Sequence, residues 1–555
     1  MQQPERWQRL ELQAFTVLTV LNLLPFIVMK FFPSMDGASH LSNSNIIHQL
    51  LFQDSELFRR FFMLNPEPVP NWTCHGVIAL LTIIMPAFLA EKLLIILLLA
   101  ATPFAFRTLL LTISPEKGWF SFLIFPFTHS MFFFFGFFNF CMAVLLLLVT
   151  LNFWLRTTKN RLNAKNLLIL SLLVTLTYFS HLVIFGLLLI IIAMHIISDT
   201  LSNWSLTKQS HTSILRHFLA NTFAIVLASL IPLTLFAWFF YNRHEPRSTT
   251  FLSQRELLDF LTTLRPLISF NPILEGRKTT RIFWLLIVLM LIGLIYLAKT
   301  IFGTGKSDEI QGNQALSGRM PGFSFWWLLM SMLVLIFLYF TLPEAYGTAS
   351  YINLRISFIF FIVMILWLST FRIPWQIGLA AAIISFSINI LLIKYYIPTI
   401  YRLGKLASEC NKAAEYIPDN QMVLPINCSK EWFSGHFVDY LAIDRPILML
   451  YNYECEAGYF PVVWNKKTRP NYYMGNPISP ELFSHFDIIK GNPYVRVDYV
   501  FLIGKYRFED DWYYEKLDKI LKSDFERVYQ SKNCYLYRNR RAPLKSVPLY
   551  NNLSK

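Results

Sequence analysis

The residues of this chain that could do chemistry lie in short polar islands between long apolar runs. The first island reads Pro33-Ser34-Met35-Asp36-Gly37-Ala38-Ser39-His40. Asp36 follows directly on an apolar run. A carboxylate there can take a proton from an incoming hydroxyl or hold a divalent cation. It is equally placed to be the water-facing N-cap of the helical stretch after it. His40 is four residues on and shares a helical face with Asp36. The pair is either one edge of a metal site or an oriented acid–base pair. The island continues through Arg59-Arg60 into Asn65-Pro66-Glu67-Pro68-Val69-Pro70-Asn71-Trp72-Thr73-Cys74-His75. Its prolines force an extended backbone, and His75 opens the next helix. Trp72 is a platform for a sugar face or a belt residue at the membrane interface.

Further along, the notable residues are single ones. Arg107 lies inside an apolar run, where a charge is costly and marks function by default; snorkelling or pairing with a helix end is the other reading. Arg355 sits near the end of a late span. A guanidinium keeps its proton and so its charge. His129 and His181 either line a cavity or bond between helices, and His195 reads as interfacial. Glu344, beside Pro343, is a loop acid just before Arg355. The aromatic run Phe132 to Phe135 reads as lipid-facing.

The elements that position these groups are membrane spans. The chain has 555 residues, 55% hydrophobic and only 15% charged, against about 25% charged in a soluble domain. The apolar mass falls in runs long enough for a bilayer core, which excludes a soluble enzyme. The net charge of +15 is placed between those runs, where lipid phosphates explain it better than nucleic acid does. The polar start, Met1 to Glu11, is not a cleavable leader, so the first helix is expected to be a retained anchor. Spans are expected at about Ala14–Phe31, Gly76–Ala90, Leu93–Ile113, Met131–Leu155, Leu167–Phe179, Leu182–Ile197, Phe218–Phe240, Ile282–Ile301, Phe323–Leu342, Ile356–Phe371 and Ile377–Ile397. Trp119–Phe127 is too short to cross.

Residues 1–400 therefore read as a helical membrane domain of about eleven spans, with an outer loop at 32–75. Residues 401–555 read as a soluble α/β domain. In it, strands are expected at Met422–Ile426, Ile447–Leu450 and Val495–Ile503, a helix at Asp510–Leu521 and a hairpin over Phe525–Arg538. The basic, acid-free loop Arg156–Lys165 is expected in the cytoplasm, which puts Asp36 and the tail outside. The basic loop Tyr241–Arg281 then lies outside too, against the positive-inside rule: either a span is miscounted or its cations serve an anionic ligand. Cys410, Cys428, Cys455 and Cys534 in the tail form no CxxC pair, which argues against a zinc ribbon. In an oxidising compartment they would form disulfides in one of three pairings.

An acid just after the first span, a long outer loop, many spans and a soluble outer tail together resemble the GT-C superfamily, the membrane glycosyltransferases that use polyprenyl-phosphate sugars. Four short motifs carry the resemblance: Asp36-xxx-His40 with Asn43, Gly136-Phe137-Phe138-Asn139-Phe140, Tyr178-Phe179-Ser180-His181, and Tyr351-Ile352-Asn353-Leu354-Arg355. It implies catalytic roles for Asp36, His40 and Glu116, and donor-phosphate contacts from Arg355, Arg107, His181 and Tyr351. Contacts to sugar or acceptor would come from Trp72, His75, Asn139 and Glu344. Many members carry a second acid near the first. Here Gly37 follows Asp36, and Glu116 is the candidate for that role. A divalent cation, magnesium or manganese, is left open, with Asp36 as its possible ligand.

The implied activity is transfer of a sugar from a polyprenyl-phosphate donor, with inversion. The acceptor would be a lipid-linked glycan, a cell-wall polymer or a protein. The implied setting is polysaccharide assembly in a bacterial cell envelope, with the chain integral to the inner membrane. A transporter or flippase of lipid-linked glycans and a non-catalytic envelope scaffold are the alternatives.

Overall fold

The computed structural model describes residues 5–158, 163–206, 211–242, 248–302, 322–347, 349–429, 431–469, 496–504 and 512–541. The first helices are α1 (Glu5–Ile27), α2 (Gly37–Leu51), α3 (Thr73–Leu81), α4 (Ala87–Ile113), α5 (Phe138–Thr157), α6 (Ala164–Ser180) and α7 (Leu182–Leu206). Next come α8 (His211–Ala228), α9 (Leu230–Asn242), α10 (Pro272–Phe302), α11 (Phe323–Thr341), α12 (Ile352–Ser369) and α13 (Trp375–Ala413). The tail adds α14 (Tyr453–Ala457) and α15 (Trp512–Asp524). The strands are β1 (Phe62–Leu64), β2 (Thr249–Thr250), β3 (Ala345–Tyr346), β4 (Met422–Asn427), β5 (Leu448–Met449), β6 (Val462–Trp464), β7 (Tyr499–Ile503), β8 (Phe525–Gln530) and β9 (Cys534–Asn539).

Among the described residues, eight helices are long and apolar enough to cross a membrane, or nine if the bent pair α8–α9 is one span. The chain is an integral membrane protein of polytopic helical class with a small sheet domain in its tail. The expected count of about eleven is corrected at two places. Gly76–Ala90 is not one span: α3 stops at Leu81 after nine residues, about 13 Å at 1.5 Å per residue, and α4 starts at Ala87. Leu167–Phe179 falls in α6, which has 17 residues and counts among the shorter apolar helices. Part of each basic loop, including Lys159, Arg161, Arg243 and Arg247, lies outside the described residues.

The chain divides into two compact units. The first comprises residues 1–24, 96–133 and 139–396; the second comprises 25–95, 134–138 and 397–555. In the first, Phe15, Trp119, Phe122, Phe125 and Ala382 form an apolar cluster. The N-terminal end of α12 is set by short polar contacts: β2 pairs antiparallel with β3, and Asn353 donates its amide to the Tyr339 and Leu342 carbonyls.

The second unit joins the first loop to the tail. Its five-stranded sheet has the order β5-β4-β7-β9-β8, with β4 parallel to both β5 and β7 and β9 antiparallel to β7 and β8. Met422, Leu424, Ile426, Val500 and Leu502 share one core with Ile46 and Ile47 of α2 and with Leu57, Phe58 and Phe61. β1 pairs antiparallel with β6. The segment read as an outer loop is thus held by strand pairing and shared burial to the domain that follows the last span.

Candidate active site

Asp36 occupies the N-cap position of α2, yet its side chain makes no capping bond. Its backbone is fixed instead by the strap 134–138: the Met35 N–H donates to the Phe134 carbonyl (3.2 Å) and the Asp36 N–H to that of Phe135 (3.0 Å). Gly136 sits at φ +84°, and a Cβ on it would lie 2.8 Å from Gly37 N and 3.1 Å from Asp36 N. Only a residue without a side chain permits so close an approach. The carboxylate that the cap leaves over points at His436, whose Nε2 is 3.6 Å away. His436 Nδ1 is hydrogen-bonded to the Tyr451 hydroxyl, and the Tyr453 ring packs 4.4 Å from the imidazole.

Burial raises the Asp36 carboxyl to about 7; the Glu454 charge raises it further, and His40 opposes both. Burial also lowers His436 to about 4, so at neutral pH this imidazole is uncharged. An acid poised near 7 is matched to proton transfer at that pH. Its side chain retains 11% exposure, so a path to it stays open.

Behind Asp36 lies a fully buried knot. Glu454 places Oε1 2.7 Å from His40 Nδ1 and Oε2 2.9 Å from His75 Nε2. The position of Glu454 is fixed by Asn452, which caps α14 at the Cys455 N–H (3.1 Å). Asn452 also donates to Asn43 Oδ1 (2.8 Å) on α2, one turn beyond His40. Burial pushes the Glu454 carboxyl up, but His75 and His40 outweigh it and hold it down at about 2. Asp439 lies nearby, pushed well up by burial and by the Glu454 charge.

The tautomers of this knot are constrained. His75 Nδ1 lies 3.0 Å from the Asn71 carbonyl, an acceptor only. Nδ1 therefore carries a hydrogen, and a neutral His75 would aim its Nε2 lone pair at a carboxylate oxygen. A proton or a cation must stand between them. The donor atoms of His40, His75 and Glu454 all lie within 4.8 Å of one another, and two imidazoles with one carboxylate suit a zinc-like ion better than magnesium.

The first unit carries a separate cation cluster. Arg355, half-buried, donates from Nη1 to the Ser350 carbonyl (2.6 Å), and its guanidinium lies 5.9 Å from the Phe140 ring centroid. Phe140 in turn meets His181 at 5.4 Å, at the break between α6 and α7. Tyr351, N-cap of α12, is left-handed at φ +60°, a strained state for a non-glycine residue. Glu344 accepts from the Asn353 N–H (3.2 Å). Burial raises its carboxyl to about 7, opposed by that hydrogen bond and by the charges of Arg355 and Arg265.

Asp36, His40 and His75 come together in the second unit, and Arg355, Tyr351, Glu344 and His181 in the first. The remaining expectations are placed otherwise. Arg107 is paired with Glu11 and bonded to Ser121 Oγ, so its charge is already met inside the protein. Glu116 is exposed after α4. There Ser114 is bonded to Ser369 (3.1 Å) at the far end of α12 from Arg355, 14 residues or about 21 Å along the axis. Glu116 therefore does not join the Arg355 cluster. His75 is 0% exposed and cannot touch an acceptor. Trp72 packs against the tail core, and Asn139 is buried in the first turn of α5.

The sequence reading missed His436, Asp439, Tyr451, Tyr453 and Glu454. The run Tyr451-Asn452-Tyr453-Glu454-Cys455-Glu456 was a visible signal, acids set among aromatic rings. Nothing in its spacing ties it to position 40, 414 residues away.

No family model and no curated protein matches the chain. Solved structures do. One is ArnT from Cupriavidus metallidurans bound to undecaprenyl phosphate, with TM-score 0.38 and 10% identity over 98% of this chain and 100% of that one. The apo state of the same protein matches with TM-score 0.38 and 10% identity over 96% and 97%. An oligosaccharyltransferase from Archaeoglobus fulgidus, in complex with Zn and sulfate, matches with TM-score 0.36 and 12% identity over 95% and 74%.

Proposed function

We propose that this chain is a membrane glycosyltransferase that moves a sugar from a polyprenyl-phosphate donor to an extracytoplasmic acceptor. The observation that carries the reading is Asp36: a carboxylate at a helix N-cap that does not cap, raised to about 7 and flanked by a neutral imidazole. Asp36 takes the proton of the acceptor hydroxyl as that oxygen attacks the anomeric carbon, and displacement in line inverts the centre. His436, fixed by Tyr451, orients the carboxylate. Arg355, in the first unit, is proposed by itself as a group that binds the anionic head of a lipid phosphate, with Tyr351 and His181 beside it. The tail lies outside the cytoplasm in this reading, on the same side as the donor sugar.

His40, His75 and Glu454 would hold a divalent cation. Bound there, it would supply positive charge to a buried carboxylate and tie α2, α3 and α14 together. The rest of the proposed chemistry is done by side chains.

Purified protein incubated with labelled polyprenyl-phosphate sugars and candidate acceptors tests the reading. Transfer that is lost in Asp36→Asn while the fold is retained supports it. The absence of transfer from every donor, or full activity in the variant, rejects it. Uptake of a lipid-linked glycan into vesicles with no bond made or broken favours the flippase instead.

A further inference from the structure

Two of the four tail cysteines meet. Cys410, near the end of α13, and Cys534, the first residue of β9, are both fully buried, and their sulfurs are 3.6 Å apart. The contact joins positions 124 residues apart and does not depend on the thiols alone. Glu409, next to Cys410, grips the turn that leads into β9. Its carboxylate accepts from Ser531 Oγ (2.7 Å), the Asn533 N–H (3.1 Å) and Asn533 Nδ2 (3.3 Å). Its carbonyl accepts from the Tyr529 hydroxyl (3.1 Å). The turn in turn closes on itself, Ser531 Oγ accepting from the Cys534 N–H (3.0 Å). The helix end and the strand start are thus held in register by four contacts that involve neither sulfur.

We propose that Cys410 and Cys534 are joined by a disulfide in the native protein. The proposal rests on the reading above that the tail faces an extracytoplasmic, oxidising compartment. An S–S bond is about 2.05 Å long, so the sulfurs need to close by about 1.5 Å, a matter of side-chain rotation at a site whose backbone is already fixed. Of the three pairings the sequence leaves open, one contains this bond.

The oxidant is a disulfide of an oxidoreductase or of a small thiol. The thiolate of one cysteine attacks it, forming a mixed disulfide and expelling one thiol. The thiolate of the other cysteine attacks the mixed disulfide and expels the second thiol. The protein loses two hydrogens and the oxidant is reduced to two thiols. Because both sulfurs are buried, exchange takes place before the sheet closes over α13, and the closed bond is then shielded from reductant.

Peptide mapping of the full-length protein tests this. Membranes are denatured in N-ethylmaleimide without reductant, digested and analysed by mass spectrometry. The expected result is a linked peptide pair containing Cys410 and Cys534, lighter by two hydrogens than its separate parts and lost on treatment with dithiothreitol. Recovery of both cysteines as maleimide adducts overturns the proposal. The purified protein treated with diamide in a low concentration of urea, enough to open the sheet transiently and admit the oxidant, then locates the failure. A 410–534 link formed only there means that the thiols are placed as described but the tail faces a reducing compartment, which also removes the sidedness from the proposed function. No link even with diamide means that the sulfur geometry is wrong, and the transferase reading stands apart from it.

Discussion

The two clusters of charge in this molecule are built on opposite plans. The Asp36 knot draws acids and imidazoles from α2, α3 and two parts of the tail into near-complete burial, with Glu454 bonded to both His40 and His75. The Arg355 cluster lies between the ends of two consecutive helices, half-buried, with its guanidinium bonded to a backbone carbonyl and its strain carried by a left-handed Tyr351. The first plan fixes a protonation state and a position. The second sets a positive group where an anion can approach. A knot of paired charges suits proton transfer, and a less enclosed guanidinium suits a phosphate.

The sharpest way to break this contrast is to neutralise the acid. Asp36→Asn keeps the shape and removes the base. Transfer is expected to fall about 10²- to 10⁴-fold with an unchanged circular dichroism spectrum. A loss of fold instead would make Asp36 a structural residue like Glu454. Next in size is Arg355→Lys, which keeps the charge and loses the planar fork. A fall of about 10²-fold in kcat is expected if the guanidinium meets charge only in the transition state. A rise in KM alone would assign it to ground-state binding.

Glu454→Gln tests the other plan through stability. Removing the charge leaves two buried imidazoles without their carboxylate, with an expected loss of about 3–5 kcal/mol as for other broken buried pairs, read by chemical denaturation. If the three residues hold a cation, elemental analysis of the purified protein should show about one zinc-like ion per chain, absent in this variant.

The smallest effect expected concerns pH. Glu344 titrates near 7, facing Arg355 and Arg265, with Tyr351 and Asp259 also close by and His181 beside Arg355. Below 7 it is neutral and leaves those cations unopposed. As pH rises through 7 it gains a negative charge, so affinity for a phosphodiester donor, whose own charge is constant, should fall a few-fold between about pH 6 and pH 8. In Glu344→Gln the profile should be flat. A slope that survives in Glu344→Gln would assign the titration elsewhere.

The spans were legible wherever an apolar run stood between charged punctuation. α11 and α12 begin and end within a few residues of the expected limits, whereas α4 starts six residues before Leu93 and α7 runs nine residues past Ile197. Gly76–Ala90 misled because it joins the end of α3 to the start of α4 across residues 82–86, and hydropathy does not register a break in a helix. The tail strands were visible as short β-branched runs. Asp36, His40 and Arg355 could be found because each sits at the edge of a span, where a charged or polar group stands out. His436 and Glu454 could not be found: a histidine and an acid in a soluble tail are ordinary until the fold brings them across 400 residues of chain. Arg107 shows the converse. Its position inside an apolar run drew attention, and Glu11, its partner, lay outside the run that was counted as the first span.

The glycine at 136 bears on how errors would appear in this protein. A Cβ on it would lie 2.8 Å from the Gly37 nitrogen, and a Cβ on Gly37 would in turn lie 2.1 Å from Ser34 Oγ. The two glycines are not equivalent. Alanine at 37 meets a serine hydroxyl that can rotate away, whereas alanine at 136 meets backbone nitrogens at a positive φ and has to move the backbone. A survey of random substitutions should therefore find well-expressed, inactive chains at 136, a position that carries no functional group at all.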